Sequence, residues 1–272
     1  MTIINQQTPP DKDIHFPGLT ESKEGVTVFL FGGIGSWKTS WAGQWPSPIF
    51  FSAGAEGGDD ALAMLPQISN GAIQTPPVYQ IRSVEMMKQK VDLICMNYKK
   101  WGIKTVVIDS LTFYSDLWVS EVIKKKLAAN KEAVMVQRDW GLIENHIVKD
   151  LAQKLHNTNL NVIWIALQKD KMNADGSIVE SVKPYVQGAA AIKLPAMCKM
   201  VIHADKQMIA DTVIPGRMLS KPIFWTSASM LCKDVRHKYG NAFHEGCLID
   251  SQGGTYPTYW GVEQRIGQFI YK

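Results

Sequence analysis

Apolar residues gather in short blocks separated by turn residues and by stretches of helical spacing. The first block, residues 26–31 (VTVFLF), is unbroken by polar positions other than Thr27, which suits a strand covered on both faces. Further strands are expected at 49–52, 78–81, 105–109 and 161–167, the last of these (NVIWIAL) again continuously apolar. Between them the spacing changes to three and four. Val84, Met87, Val91, Ile94, Tyr98 and Trp101 form one stripe over 83–101, with Ser83 placed to cap it, and Ile143, Ile147, Leu151 and Leu155 form another over 142–157. Helices are also expected at 38–45, stopped by Pro46 and Pro48, and over 111–137. Residues 59–77 and 169–193 read as loops, and 199–203 and 207–214 as strands joined by a turn at 204–206. A last strand is expected at 223–235, and a short helix near 261–271. Strands alternating with helices predict an α/β fold: a mostly parallel central sheet flanked by helices, with additional antiparallel strands toward the C-terminus.

The first strand runs into the most informative stretch, FGGIGSWKTS at residues 31–40. The pattern G-x-x-x-x-G-K-[ST] fits from Gly32 to Thr39, except that Trp37 stands where a glycine is expected. A triphosphate is wrapped by backbone N–H groups, so its loop must bring the main chain close, and Gly32, Gly33 and Gly35 allow that. Lys38 carries a point charge that can reach the outer phosphates. The Thr39 hydroxyl is a ligand suited to Mg²⁺, and a helix N-terminus adds its positive end. The candidate nucleotide-binding set is Gly32, Gly33, Ile34, Gly35, Ser36, Trp37, Lys38, Thr39 and Ser40. The bland alternative is a glycine-rich turn followed by an ordinary exposed lysine.

Three further polar residues close apolar strands. Glu56 lies between glycines just past the strand at 49–52, where ligands bind in open α/β sheets. Asp109 ends the strand at 105–109 and can hold Mg²⁺ directly or through water, or else cap the next helix. Gln168 ends the strand at 161–167, where an amide can sense a terminal phosphate or its attacking water. The following loop carries Lys169, Lys171, Lys183, Lys193 and Tyr185, residue types that suit a single-strand backbone and a stacked base, or simply a flexible connection.

Composition narrows the class without changing it. The chain has 272 residues, 46% hydrophobic and 20% charged, which suits a globular domain with a sizeable core. Net charge is only +4, so nucleic-acid binding would rest on local patches. The four cysteines show no metal-like spacing and read as reduced thiols of a cytoplasmic protein. Neither a signal pattern nor an apolar run of about 18 residues is present, so no membrane association is expected. The nine tryptophans are scattered and read as core or surface anchors.

Taken together, phosphate loop, acid after the second strand, strand ending Asp-Ser and strand ending Gln resemble the RecA-like P-loop ATPase core. More narrowly they resemble phage Sak-type single-strand annealing and recombination ATPases. The resemblance covers 25–240, leaving an irregular arm at 1–24 and a tail at 241–272. It implies ATP and Mg²⁺ as cofactors, with Glu56 activating water, Lys38 and Gln168 acting on the phosphates, and Thr39 and Asp109 serving the metal. The stretch CKDVRHKYG at 232–240 is similar to a family Lys-Asp-Arg segment, with Val235 inserted; Lys233 or Arg236 would then reach a neighbour's nucleotide. The resemblance thus implies a homo-oligomer with nucleotide between subunits, single-stranded DNA and a single-strand binding protein as partners, and the cytoplasm of a phage host.

Rival readings are kept open. Trp37 favours a module that binds nucleotide and scarcely hydrolyses it. A small-molecule kinase fits less well, for want of an arginine-rich lid segment, and a non-P-loop α/β enzyme is the remaining choice.

Overall fold

The computed structural model describes residues 25–54, 58–129, 134–210, 214, 216–226, 228, 229, 232–237, 247 and 248. The strands are β1 (Thr27–Gly32), β2 (Pro48–Ser52), β3 (Val78–Gln80), β4 (Thr105–Asp109), β5 (Asn161–Met172), β6 (Val179–Tyr185), β7 (Met200–Ala210), β8 (Met218–Trp225), β9 (Arg236–His237) and β10 (Cys247–Leu248). They form one sheet in the order β10-β8-β7-β1-β5-β4-β2-β3. From β7 to β3 every neighbouring pair is parallel. β6, β8, β9 and β10 pair antiparallel. The fold is therefore the α/β architecture that the pattern predicts, with antiparallel strands on the C-terminal side.

Alternation within the central strands splits the core in two. Phe29 and Phe31, Val106 and Ile108, and Val162, Trp164 and Ala166 face one layer. Val28 and Leu30, Val107, and Ile163 and Ile165 face the other. An apolar run thus supplies both faces at once, because successive side chains point to opposite sides. The first layer is covered by α4 (Val84–Trp101), α5 (Leu111–Ala129), α6 (Gln137–Asn145), a π-helical stretch (His146–Gln153), α7 (Lys154–His156) and α8 (Ala190–Met197). The stripe on α4 buries Met87, Val91 and Ile94, and the Ser83 side chain accepts from Met86 N as its cap. The second layer is covered by α1 (Lys38–Ala42), α2 (Gly58–Ala63) and α3 (Leu65–Ile68). Trp41 of α1 stacks on Phe224 of β8, with ring centroids 5.4 Å apart. Among the tryptophans, Trp41, Trp45 and Trp164 are indeed core anchors.

Several expectations are corrected. Residues 59–77 hold two short helices rather than a loop. Pro66 falls in the first turn of α3, where its missing N–H costs nothing. The helix expected at 38–45 ends at Ala42. That expected at 111–137 is α5, followed after the undescribed 130–133 by α6. The loop expected at 169–193 is instead the far half of β5, the antiparallel β6 and the start of α8. The turn expected at 204–206 lies inside the continuous strand β7. The strand expected at 223–235 begins earlier, at Met218, and stops at Trp225. The arm at 1–24 and the helix near 261–271 lie outside the described residues, while Cys247–Leu248 adds a strand to β8.

These corrections share one geometric result. β1 stops at Gly32, in register with Leu167 of β5 and Ala204 of β7. Both neighbours run on, β5 to Met172 paired with β6 and β7 to Ala210 paired with β8. Two β-arms therefore flank the loop that follows β1. Thr112 pins the first arm to the sheet: its hydroxyl donates to Tyr185 O at 2.7 Å and accepts from Leu167 N at 2.9 Å, and it is 1% exposed. Among the described residues no helix is long and apolar enough to cross a membrane.

Thr112→Val keeps the shape and removes both bonds, leaving the Leu167 N–H and the Tyr185 C=O without this partner. It should destabilise the protein by about 2–3 kcal/mol, read as a lower urea midpoint with an unchanged slope.

Candidate functional site

The loop after β1 is shaped by close backbone contacts. A Cβ on Gly32 would lie 2.0 Å from Ala204 O, so β7 leaves no room for any side chain there. Gly35 has φ +70°, the left-handed region open to glycine at little cost. Trp37, the N-terminal flank of α1, has φ 60° and ψ 19°. The position where the motif expects glycine is thus one where the fold demands a left-handed backbone, and a bulky residue holds that conformation at a cost of about 1–2 kcal/mol.

Lys38 is buried, and its ammonium lies against its own loop. Nζ donates to Gly33 O at 2.7 Å, to Gly32 O at 3.0 Å and to Ser36 Oγ at 3.2 Å. Ser36 Oγ in turn donates to Gly33 O at 2.8 Å. The loop thus ties its own polar groups together around the cation. α1 is only five residues long, so an anion held here would lean on loop N–H groups and Lys38 more than on a helix dipole.

Across the site, Thr39 Oγ1 donates to Asp109 Oδ2 at 2.5 Å. The two come from separate elements, brought together because β4 ends beside the first turn of α1. Desolvation raises the Asp109 carboxyl above its ordinary pKa, against the opposing pull of the Thr39 hydrogen bond and of Lys38. A Cβ on Gly58 would sit 3.5 Å from Asp109 Oδ2 and 3.9 Å from Thr39 Cγ2, so the start of α2 closes over this pair. Loop, β4 and α2 surround a cavity of about 640 Å³, lined by residues 34–40, Asp109, Ser110 and Phe113 among others. That is the size of a small-molecule site.

Of the predicted residues, Ile34, Gly35, Ser36, Trp37, Lys38, Thr39, Ser40 and Asp109 line this cavity. Gln168 lies beside it, inside β5 rather than at its end, with its amide carbon 3.8 Å from where a Cβ on Gly33 would stand. Glu56 lies outside the described residues. Lys233 and Arg236 are exposed and do not line the cavity; Arg236 pairs with Val201, near the opposite end of β7 from the loop. The sequence reading missed two contributors. His203 of β7 lies 3.1 Å from Gln168 Oε1, and Lys206 brings its Nζ to 3.0 Å from a Cβ built on Gly35. Neither sits in a motif; only the register of β7 beside β1 finds them.

The donor set fits Mg²⁺. A hydroxyl and one carboxylate are hard oxygen ligands, and this ion is commonly held by one or two carboxylates plus phosphate oxygens rather than by an all-protein cage. Accordingly, no cluster of three or more His, Cys, Asp or Glu side chains arranged for a metal occurs among the described residues. Cys95 and Cys232 are free thiols, and Cys198 Sγ donates to Leu194 O at 3.4 Å.

A family model described as an AAA domain matches residues 24–227. No curated protein gives a significant match.

The raised Asp109 pKa makes its charge a liability in the ligand-free protein. The folded state holds this proton more tightly than the unfolded chain, so stability falls as pH rises from the unfolded value toward the folded one. Asp109→Asn should therefore unfold at higher denaturant concentration than wild type at pH 7. The gap should close below about pH 4, the ordinary Asp range, where both are neutral.

Proposed function

Because the chain belongs to the AAA domain family, a P-loop NTPase family, we propose that it binds ATP with Mg²⁺ in the cavity at the end of β1 and β4 and hydrolyses the terminal phosphate. The observation that carries this reading is the 2.5 Å contact of Thr39 with Asp109, beside the buried Lys38. Two metal-suited oxygens and a cation converge on one glycine loop.

The roles follow from position. Loop N–H groups from Gly33 to Thr39 surround the phosphates. Lys38 exchanges its loop carbonyls for phosphate oxygens. Thr39 and Asp109 hold Mg²⁺, which when bound neutralises charge on the phosphates. Gln168, which lies over Gly33, is assigned to the terminal phosphate, and Glu56 is assigned the water. A second reading, nucleotide binding with little turnover, is favoured by Trp37, a large residue that lines the cavity at the position where the motif has glycine.

We also propose the finer assignment, a RecA-like ATPase of phage recombination or annealing that engages single-stranded DNA through the β5–β6 arm. What supports it is that Gln168 belongs to the same strand as Lys169 and Lys171, so the phosphate site and the arm share a backbone. The arm's charge is partly balanced: Lys171 pairs with Glu180 at 2.8 Å, and Lys169 lies over the Tyr185 ring at 5.7 Å. Lys193, on α8, pairs with Glu144. Lys233 and Arg236, exposed and away from their own cavity, are assigned to a neighbouring subunit's nucleotide in a homo-oligomer, with a single-strand binding protein as a further partner.

Turnover of ATP, with and without single-stranded DNA at low salt, separates these readings. Lys38→Ala should lower activity by about 100-fold or more, the loss typical of one preorganised contact. DNA stimulation in wild type supports the recombination assignment, and absence of DNA binding at low salt sinks it. Binding without turnover, relieved by Trp37→Gly, selects the second reading.

A further inference from the structure

Gln168 is fastened at both ends of its amide. Its Nε2 donates to Asp170 Oδ1 at 2.8 Å, and its Oε1 lies 3.1 Å from His203 Nε2. The chemistry orders these contacts. A carboxylate only accepts, so the amide NH₂ must face Asp170. The amide oxygen then faces His203, and His203 must donate from Nε2. Burial lowers the His203 pKa, which favours the neutral ring, and a neutral ring meets this demand with its proton on Nε2.

The span of the contact is informative. Gln168 and His203 stand on β5 and β7, the two strands that flank β1. Those strands lie about 9.6 Å apart, two strand spacings. The two side chains meet over the end of β1, where His203 is in register with Phe31 and packs against its ring at 5.1 Å. Ala166, the partner of Phe31 on the other side, is small. The result is a side-chain strap laid across the strand that carries the phosphate loop, with the Gln168 amide against Gly33.

We propose that His203 and Asp170 are positioning residues for Gln168: together they lock its amide across the end of β1, so that its second N–H is presented to a terminal phosphate, and they thereby set a preference for ATP over ADP. A flipped amide would turn an acceptor oxygen toward the anion. This rests on the nucleotide-binding reading and extends it to two residues that touch neither phosphate nor metal.

The test is equilibrium binding of Mg²⁺–ADP and of a non-hydrolysable ATP analogue with a terminal phosphate, using the full chain. Wild type should bind the analogue about tenfold more tightly than ADP, as one charge-assisted hydrogen bond allows. His203→Ala and Asp170→Ala should each bring that ratio toward one while leaving ADP affinity unchanged, and Gln168→Ala should bring it toward one as well. The double variant of His203→Ala with Gln168→Ala should lose no more than either alone. His203→Gln, which keeps a donor at the same reach, should retain the ratio. The exposed Asp170 is a variant site outside the core, so the test survives if His203→Ala fails to fold.

The proposal is overturned if wild type does not discriminate, if the ratio survives both His203→Ala and Asp170→Ala, or if ADP and analogue affinities fall together. Failure of wild type to bind either nucleotide is a different result: it removes the nucleotide-binding reading itself, and this proposal with it.

Discussion

The strand that carries the phosphate loop has neighbours on both sides and no space to move. β1 is hydrogen-bonded to β5 and β7 along its length, its residues are buried on both faces, and the carbonyl of Ala204 occupies the place where a side chain at Gly32 would begin. Every other part of the site is positioned relative to this fixed end. Lys38 and Thr39 follow from the turn it forces. Asp109 arrives because β4 lies next but one across the sheet, with β5 between. Gln168 and His203 arrive because β5 and β7 lie immediately beside it. A rigid strand end is what lets groups from α1, β4, β5 and β7 meet within hydrogen-bonding tolerance.

The fixed frame holds groups that folding alone would not select. Asp109 is desolvated, and Trp37 keeps a backbone conformation suited to glycine. Such departures collect where ligands act, and the remainder of the core offsets them. Here the offset is visible in the two-layer burial of β1, β4 and β5, whose apolar side chains are almost entirely withdrawn from water.

How much was legible in the sequence depended on burial. Residues 26–31 and 161–167 announced themselves because a strand covered on both faces must be apolar throughout. The stripe on α4 was equally plain. The β5–β6 arm was not, and on β7 residues 204–206 read as a turn inside what is one strand. Beyond Leu167 and Ala204 the strands leave the core, both faces meet solvent, and Lys169, Asp170, Lys171, Asp205 and Lys206 read like a loop. Only main-chain pairing holds them extended, and pairing has no local signature. The same blindness hid His203, a lone histidine in no motif. Among the site residues, Lys38, Thr39 and Asp109 were legible because their chemistry fixes both residue type and place at a strand end. The meaning of Trp37 was not: its left-handed backbone is set by the turn, not by its own side chain.

One consequence of the loop's internal bonding concerns what it refuses. The Lys38 ammonium already holds three oxygens of its own loop, so an arriving anion competes with them instead of filling a vacancy. A ligand that offers one or two oxygens gives back little more than it displaces. A polyphosphate chain, meeting the ammonium, the loop N–H groups and a metal together, can outbid the resting arrangement. On the proposed nucleotide-binding reading, the loop's internal bonding therefore favours a polyphosphate over a lone phosphate.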